Sequence, residues 1–130
     1  MQYCSVKNIR REAYLNRGYT RFDLGNKQGA IADYNAALKI NPNLAEAYGN
    51  RGIAHSDLGD NQGAIADYNL ALKIDPNYAK AYYNQGNARY QLGDNQGGIV
   101  DLQKAAELFR QQENTELYQQ ALELIRKYQQ

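Results

Sequence analysis

Residues 45–78 read AEAYGNRGIAHSDLGDNQGAIADYNLALKIDPNY. Moved back by 34 positions, this stretch matches residues 11–44 at 23 of 34 places. Moved forward by the same step, it matches residues 79–112 more loosely. Gly18, Gly52 and Gly86 fall at one place in the period, as do Gly25, Gly59 and Gly93, and Tyr14, Tyr48 and Tyr82. Pro42 and Pro76 coincide as well. A period this long marks one supersecondary unit that buries its apolar face only against its neighbours.

Each unit reads as two helices. In the central copy Ala47, Tyr48, Ile53, Ala54 and Leu58 make a helical first half, closed by Gly59 as a left-handed cap. Asp60 or Asn61 caps the next helix at its start. Ala64, Ile65, Tyr68, Ala71 and Leu72 then form an amphipathic pattern. Pro76 stops it, because proline lacks the N–H and disfavours helix in the residue before it. Loops this short make consecutive helices antiparallel neighbours. Small residues recur where two helices would touch: Gly18 with Ala30, Gly52 with Ala64, Gly86 with Gly98. Arg17 and Arg51 share one place, and Asp33, Asp67 and Asp101 another. That pattern predicts ion pairs across the stack, since an arginine at a packed place needs a partner. A final helix is expected after Asn114 or Thr115, with Leu117, Ala121, Leu124 or Ile125, and Tyr128 as its apolar stripe. The turn before it falls near Glu113. Residues 1–10 match no repeat; Val6, Ile9 and Ala13 are spaced to extend the first helix backwards, the alternative being a frayed end.

The 15 basic and 14 acidic residues leave a net charge of +1. This argues against nucleic acid or an anionic membrane as partner, both of which need clustered Lys and Arg. No run of apolar residues is long enough to span a membrane. The one cysteine, Cys4, allows no disulfide within the chain, and residues 1–10 lack the apolar core of a signal peptide; a cytoplasmic protein is expected. Cys4 reads as an ordinary thiol. His55, the one histidine, has no second nitrogen, sulfur or carboxylate cluster beside it in sequence, so no metal or other cofactor is expected. No phosphate loop and no nucleophile–base set stands out, so no enzymatic activity is expected.

The residues that carry the period resemble the tetratricopeptide repeat family. That family prefers an aromatic at place 4 of each repeat, Gly at 8, Ala at 20, an aromatic at 24, Ala at 27 and Pro at 32. Tyr48, Gly52, Ala64, Tyr68, Ala71 and Pro76 fit, as do Tyr14, Gly18, Ala30, Tyr34, Ala37 and Pro42. The third repeat keeps Tyr82, Gly86 and Ala105 but has Gly98, Leu102 and Arg110 at the other three places. Place 11, often Tyr in the family, is Arg21, His55 and Arg89 here. The resemblance implies an all-α fold, a right-handed superhelical solenoid of antiparallel helix pairs with about seven helices. Its parts would be an N-terminal extension (1–10), repeats at 11–44, 45–78 and 79–112, and a capping helix at 113–130.

The first two repeats differ at 11 places, mostly in their first helices, while 28–43 and 62–77 differ only at Ala36/Leu70 and Asn41/Asp75. Leu15, Tyr19 and Phe22 share one helical face, matched by Gly49, Ile53 and Ser56, then by Tyr83, Asn87 and Tyr90. A face that changes on a constant scaffold is where partner choice resides. The resemblance puts these first helices on an inner, concave surface that holds a peptide. The candidate site in the first repeat is Leu15, Asn16, Tyr19 and Phe22. The second supplies Asn50 and Ile53, and the third Lys80, Tyr83, Asn84, Asn87 and Tyr90. Asn16, Asn50 and Asn84 recur at one place, and an amide both donates to and accepts from a peptide unit. Gly49 and Ser56, the smallest of the varying set, would make the central unit the floor, with Tyr19, Phe22, Tyr83 and Tyr90 as walls. Glu12, Asp23, Glu46 and Asp57 flank this groove, which suggests partners with apolar or aromatic residues and some basic character. The carboxylate clamp of the family wants Lys and Asn where Leu15 and Tyr19 stand. Asn50 and Lys80 match it, but Asn84 replaces an Arg, so the sequence departs from that ligand class.

The leading expectation is therefore a scaffold that binds a protein or peptide segment in the concave groove. The alternative is a self-associating module, a homo-oligomer built on the exposed repeat face or the N-terminal end. RNA binding ranks last, because Arg21 and Arg89 form no basic stripe.

Overall fold

The computed structural model describes residues 2–130, with side chains from Val6 onward; Cys4 therefore lies outside the described side chains. The described residues form seven helices: α1 (Gln2–Asp23), α2 (Lys27–Ile40), α3 (Ala45–Asp57), α4 (Asn61–Ile74), α5 (Ala79–Gln91), α6 (Asn95–Gln111) and α7 (Thr115–Gln129). They make the all-α solenoid expected, each helix packed antiparallel on the one before it. The segment before the first repeat continues α1 backwards as one helix.

Local chemistry sets the ends. Asn26, Asp60 and Asp94 each accept a hydrogen bond from the backbone N–H three residues on, at 2.9 Å, and Asn114 does so at 3.2 Å. These bonds satisfy N–H groups that the helix itself leaves unpaired. Gly25, Gly59 and Gly93 take φ of 89°, 86° and 89°, the left-handed conformation that closes a first helix. Glu113 holds the corresponding turn before α7 at φ 59° without being glycine. At the other junctions Asn41 and Asp75 accept from Asn43 and Asn77 N–H at 3.0 Å, turning the chain beside Pro42 and Pro76.

The core repeats with the sequence. Ala30, Tyr34 and Ala37 on α2, Ala64, Tyr68 and Ala71 on α4, and Leu102 and Ala105 on α6 are all buried. The small residues do two different jobs. A Cβ on Gly18 or Gly52 would stand 2.7 Å from the ring of Tyr34 or Tyr68, so there the glycine makes room for an aromatic ring. In the third pair Leu102 replaces the tyrosine, and the backbones themselves close up. A Cβ on Gly86 would lie 2.8 Å from the carbonyl oxygen of Gly98, and one on Gly98 as close to that of Gly86.

A carboxylate on each second helix is buried beneath its own first helix. Asp33 lies 2.7 Å from Arg17 Nη2 and 3.3 Å from Arg21 Nη1. Asp67 lies 2.6 Å from Arg51 Nη2, with His55 Nε2 3.7 Å away. The pairing expected of Arg17 and Arg51 is present. In the third pair Gln85 takes the arginine's place, and Arg89, one turn later, brings Nε to 2.8 Å from Asp101. The same place also bonds backwards along the stack. Arg51 Nη1 donates to Asn35 Oδ1 at 2.8 Å, and Gln85 Nε2 to Asn69 Oδ1 at 2.7 Å.

Burial pushes the Asp101 carboxyl up, against the opposing pull of Arg89 and Lys104. A carboxyl raised on folding holds its proton more tightly in the native state. Its contribution to stability is complete below the ordinary aspartate pKa of about 3.9 and is lost as pH rises through the folded value. In Asp101→Asn that loss is absent, so the stability of the variant relative to the wild type in urea unfolding is expected to rise between about pH 3 and neutral. Arg51→Ala leaves Asp67 without its fork of donors and is expected to cost about 1–3 kcal/mol in the same measurement.

Candidate functional site

α1, α3 and α5 carry the varying face, and the three junctions along it differ. Between α1 and α3 a pocket of about 380 Å³ is lined by Tyr19, Phe22, Asp23, Tyr34, Glu46, Asn50 and Ile53. Four expected site residues, Tyr19, Phe22, Asn50 and Ile53, are thus brought together. Tyr34, read from sequence as core alone, forms part of the wall, its ring centre 5.9 Å from that of Tyr19. Burial raises the Tyr34 phenol to about 12, and Asp23, Asp33 and Glu46 add to the shift. Burial and then Glu46 raise Tyr19 as well. The phenols therefore stay protonated over the physiological range and present hydroxyl donors beside carboxylates.

A second hollow of about 400 Å³ adjoins the first, lined by Ala45, Glu46, Asp75, Tyr78 and Lys80. Glu46 belongs to both. Lys80 thus sits beyond the first pocket, facing the surface rather than the aromatic walls. The central floor expected from Gly49 is filled. A Cβ there would be 2.7 Å from the hydroxyl oxygen of Tyr78, so the space that Gly49 leaves holds the Tyr78 ring. Ser56 Oγ is engaged by Asn61 Oδ1 at 3.1 Å. The sequence carried a signal for the filling: the change from Leu15 to Gly49 accompanies the change from Leu44 to Tyr78 one period on.

The third junction is covered by α7. The Tyr128 hydroxyl donates to Asn87 Oδ1 at 2.5 Å, and its ring lies parallel on Tyr90, centroids 3.6 Å apart and planes at 3°. Tyr83 meets Phe109 edge-on at 6.5 Å and packs with Leu117 and Tyr118 around Ala105. Tyr83, Asn87 and Tyr90 are therefore held by the chain's own last helix. Leu15 is half-buried and borders neither hollow. Of the asparagine row, Asn16 is exposed and Asn84 half-buried, and neither side-chain amide hydrogen-bonds within the described chain. No described helix is long and apolar enough to cross a membrane.

Antiparallel helix pairs stacked one on the next at a constant repeat define a helical-repeat protein. A family model described as TPR repeat matches residues 18–59 and 55–93, and one described as Tetratricopeptide repeat matches 79–112. The chain belongs to the tetratricopeptide repeat family. Among solved structures it is similar to the TPR domain of Arabidopsis OM64, at 27% identity and a TM-score of 0.84 over 94% of this chain and 98% of that one. It is similar to the first TPR of Spaghetti (RPAP3) bound to HSP90 peptide SRMEEVD, at 26% and 0.83 over 92% and 90%. It also resembles the TPR2B domain of yeast Sti1, solved in a complex with pHsp70, at 25% and 0.77 over 89% and 98%. No curated protein matches the sequence significantly.

Two measurements check this geometry. Tyr128→Phe keeps the stack on Tyr90 and loses the bond to Asn87, for an expected cost of about 1 kcal/mol in urea unfolding. Tyr128→Ala loses both and is expected to cost about 3 kcal/mol or more. On the alkaline side, a phenol raised on folding stabilises fully below 10 and progressively less towards 12. Unfolding stability is expected to fall across that interval, less steeply in Tyr34→Phe.

Proposed function

We propose that this protein is an interaction scaffold that holds an extended peptide or protein segment on its concave face, centred where α1 and α3 meet. The observation that carries the reading is the pocket between Tyr19, Phe22, Asn50 and Ile53, which no side chain of the chain itself occupies. Rings supply contact area at small entropic cost, and the Asn50 amide has both a donor and an acceptor for a peptide unit. The unspent amides of Asn16 and Asn84 lie at the same place on the neighbouring first helices and extend the run. Two similar domains were solved with partners on them, an HSP90 peptide and pHsp70, which supports an interaction role of the same general kind.

Peptides selected from a random displayed library against the wild-type chain test the reading. Asn50→Ala and Tyr19→Ala are each expected to weaken the selected peptides about tenfold or more, the equivalent of about 1.4 kcal/mol. Asn50→Ala should do so with its urea midpoint unchanged. Unchanged affinity in both variants would remove the reading.

Self-association is the second reading. It draws on Val6 and Ile9, one turn apart on α1 and 52% and 68% exposed. Sedimentation across a wide concentration range separates the two: a scaffold of the first kind stays at the monomer mass, and an associating one shifts, with Ile9→Lys abolishing the shift.

A further inference from the structure

The pocket between α1 and α3 holds two carboxylates and no cation of its own. Asp23 and Glu46 line it, and neither has an ion-pair partner among the described residues. Other acids near this face are answered locally, Asp57 by Lys27 at 3.3 Å and Glu12 by Arg11 at 3.4 Å. The charge in the pocket is felt by its walls, since Glu46 raises Tyr19, and Asp23 and Glu46 raise Tyr34, each after burial.

The occupant follows by elimination. An anionic group would meet two like charges. A purely apolar group would take both carboxylates partly out of water with no cation to answer them, Glu46 having only the Tyr19 hydroxyl beside it. A cation on a long apolar stem satisfies both demands, its stem against the rings and its charge between the acids. Aromatic faces attract cations within about 6 Å; outside the pocket lining, Lys27 Nζ lies 5.8 Å from the Phe22 ring centre while it pairs with Asp57. A guanidinium adds a planar surface for the rings and donors for the Asn50 amide oxygen.

We propose that this pocket takes an arginine or lysine side chain, arginine in preference, so that the partner is a basic segment, opposite in charge to the EEVD end of the peptide on the Spaghetti domain. The inference rests on the groove being a peptide site.

The test uses the full chain, labelled with ¹⁵N, and short capped peptides identical except for a central arginine, norleucine or glutamate. N-acetylarginine amide serves as a fragment probe. The arginine peptide is expected to bind about tenfold tighter than the norleucine peptide and the glutamate peptide weakest, with shifts at the Asn50 side-chain amide and at Ile53. In Asp23→Asn/Glu46→Gln, both positions being solvent-exposed, the arginine advantage should collapse while norleucine binding stays. Raising salt should have the same effect. If all three peptides bind alike and shift these resonances, the groove stands and the basic-partner proposal is overturned. If neither peptide nor fragment moves any pocket resonance at about 10 mM, both are overturned.

Discussion

The stack depends on a buried carboxylate repeated once per helix pair. Asp33, Asp67 and Asp101 each sit on the inner face of a second helix, and a charge removed from water there must be paired. The partner comes from the first helix of the same pair, which ties the two helices in register. The third pair shows that the constraint belongs to the carboxylate and not to the arginine's place. Where Gln85 replaces arginine, Arg89 approaches from the next turn. The freed place keeps its other duty, since Gln85, like Arg51, bonds an asparagine of the pair before it. One side-chain place thus joins pair to pair, and one buried acid joins helix to helix. The price is visible at Asp101, whose single close contact answers burial less fully than the fork of Arg51 answers Asp67.

Around that constraint, packing uses small residues in two ways. Glycine against a tyrosine ring holds α1 to α2 and α3 to α4. Glycine against glycine brings the backbones of α5 and α6 together. The change follows from Leu102, which lacks the reach of the tyrosine it replaces. The scaffold therefore tolerates divergence in the third repeat without losing its shape, and α7 buries the face that this repeat would otherwise leave open.

The candidate site follows from what each junction does with the face that α1, α3 and α5 carry. At the first, Tyr19 and Phe22 meet Asn50 and Ile53 without filling the space between them. At the second, Tyr78 enters the room that Gly49 vacates. At the third, Tyr128 satisfies Asn87 and covers Tyr90. Three equivalent faces thus have three fates, and at the first the pocket stays open between aromatic walls, lined by Asp23 and Glu46 without an ion pair for either.

Period, caps and charge pattern were legible in the sequence because they are local or repeat themselves. A 34-residue step, asparagine or aspartate before each second helix and glycine after the first three first helices are properties of short segments. Two of the ion pairs were legible because Arg17 and Arg51 stand at the same separation from Asp33 and Asp67; the third was not, since Gln85 holds the arginine's place and Arg89 reaches Asp101 from the next turn. What the sequence by itself determined is the all-α repeat architecture, its buried pairs, and the face on which variation falls. Which part of that face is open was decided only in three dimensions. Tyr78 and Tyr128 reach it from outside the first helices, and side-chain volume is filled by whatever lies nearest in space. A one-dimensional pattern records which residues share a face, but not which distant ring has already taken the room between them.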